Sequence, residues 1–490
     1  MTKPKKAFKL PHTLVLIFLL LLGVYLLSLL IPSGQFRREK KNFQGIERQV
    51  TLPGTYRRIE KKYLGPEWLV IAPVRGFADG VLIISLVFIF GGVFAVMQRT
   101  GAIEAGIQRL SAFFAERRKL KRLVVPALMI VFSLAGSTYG MSEESIPFVL
   151  IFIPLAISLG YDSIVGVAIP FLGAAAGFAA ACFNPFTVGI AQGFSDLPLY
   201  SGLGYRLALW LLSTVIMVTF VMIYAEKIRK NPELSPVREL DRGRALGPAT
   251  GSPAPDRDRP IGSAQDGRMI GAVPPWGWPQ KSVLLILATG MLVLVYGIMV
   301  EKWYMEEIAA LFLAIGIISG FAGRLKPSQM AESFVAGARD MMNVAFIIAC
   351  GRAVLIVLQQ ALVLDTILYY SATLIASVPR LLTAQIMFLT QSVINFFIHS
   401  GTAQAALTMP VMAPLSDLIG ITRQTTVLSF QLCEVINPIL PTSAVTMGVL
   451  GVARIPWEKW AKWFLPLMLI LMAFSLLALI PPVLVGWGPF

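Results

Sequence analysis

The sequence predicts an all-α polytopic membrane protein of two inverted-topology repeats, each with a re-entrant helical hairpin and a discontinuous transmembrane helix. Three observations predict it. Of the 490 residues, 56% are hydrophobic and 14% charged, and the apolar residues fall in runs long enough to cross a hydrocarbon core roughly 30 Å thick. Two of those runs are broken by the same dipeptide, in AAACFNPFTVGIAQG (179–193) and CEVINPILPTSAVTMG (433–448). The two halves of the chain also share a pattern.

Hydropathy marks spanning runs at 13–31, 81–98, 164–194, 205–224, 282–300, 307–321, 341–359, 424–452 and 463–487. The first follows Lys3, Lys5, Lys6 and Lys9. It is longer than the apolar core of a signal peptide, and IPSG is a poor cleavage site, so it reads as a retained helix. Two other stretches, 123–158 and 381–418, are pairs of short runs around polar knots, GSTYGMSEES (136–145) and HSGTAQ (399–404). They predict hairpins that dip into the bilayer and return on the same side. Residues 226–280, rich in Pro, Gly and mixed charge, cannot bury enough apolar surface to order themselves and predict a flexible cytoplasmic linker. The chain thus divides into a first membrane repeat (1–225, broken helix at 164–194), the linker, and an extra helix plus second repeat (281–490, broken helix at 424–452).

The net charge of +15 does not point to nucleic acid, because the basic residues lie in loops between apolar runs. With the N-terminus in the cytoplasm, segments 1–12, 99–122, 225–281, 322–339 and 453–462 face inward and hold 27 of the 42 Lys and Arg. That follows the positive-inside rule and predicts a cytoplasmic (inner) membrane protein with its C-terminus outside. Ten more basic residues lie in 32–80, on the outer side, against the rule. The three cysteines, Cys182, Cys350 and Cys433, sit inside apolar runs, and His12 and His399 are the only histidines. No disulfide framework, transition metal or organic cofactor is expected from so few soft ligands.

The halves align by pattern. GFADGVLIISLVFIFGGVFAVMQRTGAI (76–103) runs beside GARDMMNVAFIIACGRAVLIVLQQALVL (337–364), with Asp79 on Asp340. SEESIPFVLIFIPLAISLG (142–160) runs beside TAQAALTMPVMAPLSDLIG (402–420), with Pro154 on Pro414. The predicted topology sends run 81–98 inward and its partner 341–359 outward. Inverted repeats with broken helices are how secondary transporters build a midplane site.

In hydrocarbon a broken helix survives only where it lines protein or a wet cavity. Asn is a preferred N-cap and Pro suits the first helical position. Asn184-Pro185 and Asn437-Pro438 therefore predict restart points, each exposing free N–H groups and a partial positive charge. Ser142, and Ser400 or Thr402, predict caps at the hairpin tips. Four helix N-termini near the midplane, with Thr187 and Thr442 beside them, suit a small anionic group such as a carboxylate; the plainer reading is a pair of proline kinks.

Arg352 lies in the middle of NVAFIIACGRAVLIVLQQ, where a guanidinium is costly and marks a site or a buried pair. It reads as a substrate or gating residue, or as one half of an Arg–Glu bridge. Glu434, Glu143 and Glu144 are its candidate partners, and each is also a coupling candidate that binds Na⁺, carries a proton or receives a substrate ammonium. A coupling Na⁺ would sit near Asn184 and Asn437. Glu143 and Glu144 also read simply as acids suited to a helix N-terminus. His399 titrates near neutral pH in the ordinary case, or is only a polar tip residue. Asp79 and Asp340 read as helix N-terminal dipole partners, and WEKWAKW (457–463) as interfacial belt residues.

GMSEESIPF, LGYDSIVGVAI, NPFTVGIAQG, GTAQAALTMPVMAPLSDLIGITRQ and PTSAVTMGVLGVARIPWEKW resemble the YfcC branch of the anaerobic C4-dicarboxylate carrier (DcuC-like) family, within the ion transporter superfamily. The resemblance runs from about residue 10 to the C-terminus, outside the 226–280 segment. It implies two inverted repeats, elevator-like alternating access, carriage of small carboxylates and, weakly, a homodimer. The chain departs from the family at IHSGTAQ, where His399 stands in place of Pro, and at QLCEVINP, where Glu434 replaces a Gly-Asp-Gly-like segment.

The reading that follows is a secondary active transporter of a small carboxylate-bearing metabolite, a C4-dicarboxylate or an amino acid, ion-coupled or exchanging. The alternatives are a passive channel, or a membrane-integral enzyme for which no metal or nucleophile motif is visible.

Overall fold

The computed structural model describes residues 13–43, 46–103, 105–106, 109, 118–245, 276–301 and 303–488. Helix α1 (Thr13–Leu30) leads into a small β layer, with β1 (Gly34–Gln35) paired to β4 (Arg57–Arg58) and β2 (Arg38–Phe43) to β3 (Ile46–Thr51). The β2–β3 pair is antiparallel, in register from Arg38 opposite Thr51 to Phe43 opposite Ile46. Two long, bent helix pairs follow in the two halves: α2 (Trp68–Asp79) with α3 (Val81–Arg99), and later α13 (Pro327–Asp340) with α14 (Met342–Gln360).

Between these pairs lie α4 (Arg118–Thr138), α5 (Ser145–Ser158), α6 (Ser163–Val167), α7 (Gly173–Ala179), α8 (Ile190–Phe194), α9 (Leu203–Lys230), α10 (Arg238–Ala245), α11 (Trp278–Met299) and α12 (Met305–Ala322). After α14 come α15 (Leu364–Ala376), α16 (Arg380–Phe397), α17 (Gly401–Ile419), α18 (Arg423–Leu432), α19 (Ala444–Val452), α20 (Trp457–Ala478) and α21 (Ile480–Val485). Six helical stretches among the described residues are long and apolar enough to cross a membrane, at Val81–Arg99, Leu203–Lys230, Met305–Ala322, Met342–Gln360, Arg423–Val452 and Trp457–Val485.

The bent pairs exchange partners: α2 packs on α14, and α13 packs on α3. Gly91 and Gly337 mark one of these crossings, and a Cβ added to Gly91 would lie 2.6 Å from the Gly337 carbonyl oxygen. In a bilayer, where lipid tails are as apolar as Leu, such backbone approach lets dispersion hold helices together. Both expected hairpins form as helix–turn–helix units. Phe132 of α4 meets Phe148 and Phe152 of α5 at ring distances of 5.1 and 5.5 Å, while Gln404 of α17 donates to the Gln391 carbonyl (2.9 Å) and side-chain oxygen (2.8 Å) of α16.

Several elements were not visible in hydropathy. Helices α2, α13 and α15 are amphipathic or short, and the basic segment after α1 is ordered. Its β layer is riveted to the α14–α15 junction: Ser33 Oγ donates to the Ala361 carbonyl (2.8 Å), Gly34 N to Leu362 O (2.9 Å), and Phe36 N to Asp365 (2.9 Å), which also pairs with Arg38 at 2.5 Å. The segment expected as a flexible linker from residue 226 is largely helical up to Ala245. Helix α9 runs to Lys230, and α10 returns so that the Asp241 carboxylate accepts from Ser163 N at 2.9 Å. Tyr224 and Ser235 donate to Asp162, which caps α6 by accepting from Val165 N. Residues 246–275 lie outside the described residues.

Candidate functional site

The first predicted break is where the sequence placed it. After α7 the chain leaves helical geometry, and Asn184, in a non-helical conformation, restarts it. Its Oδ1 accepts from Phe186 N (2.9 Å) and Thr187 N (3.3 Å), with Pro185 at the first position. That is how an Asn-Pro pair should act. The turn is a π turn, Pro185–Gly189, continuing into α8.

The second break differs. Asn437-Pro438 lies inside a 3-10 turn, Cys433–Ile439, that extends α18. The chain opens only at Leu440, and Ser443, not Asn437, is the cap of α19, accepting from Thr446 N at 3.3 Å. Asn437 holds the turn instead: its carbonyl accepts from Thr446 Oγ1 (2.7 Å), and its Nδ2 donates to Glu434 Oε2. A 3-10 turn tolerates Pro438 because its i→i+3 pattern is short-lived and frequently closes an α-helix. The carbonyls that this turn frees are taken by Trp460 Nε1, donating to Pro438 O (2.7 Å), and Trp457 Nε1, donating to Ile439 O (2.8 Å). Trp460 is fully buried, which removes it from the expected interfacial belt.

The hairpin tips reach these breaks. Ser400 caps α17, its Oγ accepting from Ala403 N at 3.5 Å, and Thr402 Oγ1 donates to the Phe186 carbonyl (2.8 Å) of the first broken helix. A Cβ added to Gly401 would meet Thr187 Cγ2 at 2.6 Å and Glu434 Oε1 at 2.9 Å. The second hairpin tip is therefore wedged between the two broken helices. The first tip also touches a break: a Cβ on Gly140, whose φ is +79°, would lie 2.6 Å from Asn184 Oδ1. Ser142 does not cap α5 as predicted. Its backbone N donates to Glu144 Oε2 (2.9 Å) and its carbonyl accepts from Ser145, so the acid closes the turn on itself. Thr442 Oγ1 donates to Phe396 O at 2.7 Å, tying the second break to hairpin α16–α17.

Arg352 meets none of the predicted glutamates in an ion pair; its Nη1 lies 3.5 Å from Asp79 Oδ2, and its Nε has no partner among the described residues. Its charge is close enough to act on Glu143, His399 and Tyr304, and neighbouring Gly351 abuts the second break, an added Cβ lying 3.2 Å from Thr442 O. Asp79 and Asp340 close helices α2 and α13 and pair with arginines, Asp340 with Arg454 at 2.6 Å; this replaces the dipole reading. Both ring nitrogens of His399 are shielded and have no hydrogen-bond partner among the described residues.

Among the described residues, Thr187 Oγ1 and Glu434 Oε1, whose side chains flank Gly401, are buried without partners, as are Asn184 Nδ2 and Asn437 Oδ1 at the breaks and Asn395 Oδ1 and Gln404 Oε1 on the hairpin. Buried polar atoms are nearly always satisfied, so six without partners are unusual. All but one of these six are oxygens, the donor type a hard cation takes. No cluster of three or more His, Cys, Asp or Glu occurs among the described residues. Asn395, Gln404 and Ser443 were missed in the sequence. Asn395 and Gln404 lie on opposite sides of the α16–α17 tip, and only the hairpin's closure reveals that both converge on Cys433 Sγ, at 3.5 Å each.

A model of the C4-dicarboxylate anaerobic carrier family matches residues 10–484. The chain is 34% identical to YfcC of Escherichia coli (strain K12), provisionally described as a basic amino acid antiporter, over 99% of each chain. It is 28% identical to an uncharacterized protein of Haemophilus influenzae over 95% of each. Among solved structures, the YdaH transporter of Alcanivorax borkumensis aligns over 98% of this chain and 100% of its own, with 15% identity and a TM-score of 0.38. MtrF of Neisseria gonorrhoeae, described within a class of antimetabolite efflux pumps, aligns over 98% and 96%, with 17% identity and a TM-score of 0.39. A family match of this length on a chain with six candidate spans makes it a multi-pass membrane transporter and not an enzyme, and the chain belongs to the C4-dicarboxylate anaerobic carrier family.

Proposed function

We propose that the protein is a secondary active transporter of a small carboxylate-bearing metabolite, a C4-dicarboxylate or an amino acid, working by ion coupling or exchange with elevator-like alternating access. The observation that carries this reading is the hairpin tip at Gly401, lodged between Thr187 of one broken helix and Glu434 of the other amid unpartnered polar atoms. A tip so placed can seal a site from one side, and its withdrawal can open it.

The exchange of partners between α2–α3 and α13–α14 supports two inverted repeats. The hairpins then enter from opposite faces of the inner membrane, with the N-terminus cytoplasmic and the C-terminus outside. In this reading the helix restart at Asn184, the α17 and α19 N-termini and Arg352 hold the substrate carboxylate. The orphan oxygens of Thr187, Asn395, Glu434 and Asn437 hold a coupling Na⁺, or Glu434 carries a proton. Glu143 and Glu144, at the first tip, receive an ammonium where the cargo is an amino acid; the description of the E. coli relative favours testing basic amino acids. The working unit is a homodimer, as the family resemblance implies.

Purified protein in proteoliposomes, given radiolabelled dicarboxylates and amino acids under imposed Na⁺ or pH gradients, tests the proposal. Saturable, gradient-dependent or counter-substrate-dependent uptake of one class is the expected result. Unsaturable flux with single-channel currents, or no uptake of any carboxylate, overturns it.

A further inference from the structure

Arg206 lies one turn into α9, is 1% exposed, and none of its three guanidinium nitrogens has a hydrogen-bond partner among the described residues. Among the described residues no carboxylate pairs with it, and Cys182, in the open segment before Asn184, is its ionisable neighbour. One face is covered by the Trp487 ring, whose centroid is 5.9 Å from the guanidinium carbon. Arg423 is the instructive contrast. It lies at the start of α18, yet it takes Asp417 at 2.8 Å and Asp196 at 2.9 Å, and is fully paired. Among the described residues two acids meet Arg423 and none meets Arg206.

A buried guanidinium without a counter-ion is strongly destabilising, and replacing such a group with an apolar one of similar volume is often neutral or favourable. A charge kept under those terms has an anionic partner at some stage of the working cycle. The free fork is planar and matches a two-oxygen anion edge-on. Its neighbour Cys182 belongs to the unwound segment, where Phe183 and Phe186 are exposed and Asn184 Nδ2 is also unpartnered.

We propose that Arg206 is an oxyanion-binding position beside the first break, a carboxylate station separate from Arg352. The assignment rests on the carboxylate-carrier reading and deepens it. Arg352 already has Asp79 as a neighbour, whereas Arg206 carries an uncompensated positive charge that a substrate carboxylate neutralises.

The test uses the full chain in detergent and in proteoliposomes, with R206M and R206K, and with succinate, acetate and lysine as probes. Without probe, R206M should unfold at the same temperature as the wild type or higher, because an unpaired buried charge has been removed. The concentration of carboxylate needed to raise the thermal midpoint should increase at least tenfold in R206M, and uptake should fall in parallel. R206K keeps the charge but loses the fork, and should fall between. Wild-type behaviour of R206M in both readouts overturns the inference and leaves the carrier reading intact. A misfolded R206M beside a fully wild-type R206K makes the positive charge structural and the fork dispensable, and also overturns it. A wild-type protein neither stabilised by nor carrying any of the three probes overturns both.

Discussion

Arg352 Nη1 stands 3.5 Å from Asp79 Oδ2, a contact between the two halves of the chain that is longer than a charge-assisted hydrogen bond of about 2.7–2.9 Å. Asp79 is 53% exposed at its side chain, and pairs of that kind contribute about 0–1 kcal/mol. The guanidinium is therefore held near the second break without being consumed. Arg352→Gln should raise the half-saturating substrate concentration about 10- to 100-fold, the equivalent of losing one hydrogen bond to a charged group. Asp79→Asn should leave thermal stability within about 1 kcal/mol. Transport kinetics of the two variants and the double variant check this. Equal, non-additive losses in all three would make the pair a structural bridge.

The parts of this fold that were legible in the sequence are those set by local chemistry. Asn184-Pro185 restarts a helix because Asn accepts from the first free N–H groups and Pro lacks one to lose, and both facts are local. Asn437-Pro438 reads identically in sequence and behaves otherwise. What decides it is Glu434 three residues back and two tryptophans about 20 residues on, which satisfy the 3-10 turn and push the opening to Leu440. Ser142 lost its capping role to Glu144, a competition that no spacing rule resolves. Arg206 was hidden because it lies near a helix end, where an arginine ordinarily reaches water. The β layer was hidden because hydropathy sees only the apolar.

Gly401 admits no side chain without movement. The methyl of Gly401→Ala would press on Thr187 Cγ2 and Glu434 Oε1, and overpacking of this kind costs about 1–3 kcal/mol. Uptake should drop severalfold or more as the tip is held away from the breaks. Thr187→Ser deletes the offending methyl and keeps the hydroxyl, so it should return part of the lost rate in the Gly401→Ala background. Initial uptake rates of the single and double variants decide the matter; no recovery in the double would place the fault at Glu434 or elsewhere.

Glu434 has one oxygen bound by Asn437, and the other, beside Gly401, has no hydrogen-bond partner of good geometry among the described residues. Glu434→Gln keeps the shape and removes the charge that a proton or Na⁺ would use. Counterflow of preloaded substrate should persist within a few-fold, while accumulation against a gradient falls to background. Measuring both in one vesicle preparation separates the roles. Parallel loss of counterflow and accumulation would make Glu434 a substrate contact.

Trp460 donates to the Pro438 carbonyl at 2.7 Å from a position with no solvent exposure. Trp460→Phe keeps most of the ring but orphans that carbonyl, and a buried acceptor left unpaired costs about 1–3 kcal/mol. The apparent unfolding temperature in detergent should fall by several degrees. Trp457→Phe should cost less, because Trp457 is only half-buried and water or lipid headgroups can replace its bond. Neither change touches the group around Gly401, so the substrate preference of both variants should stay that of the wild type even where the rate drops. A changed preference in Trp460→Phe would mean that the 3-10 turn shapes the site itself, and that Asn437 and Glu434 shift when its outer carbonyl is released.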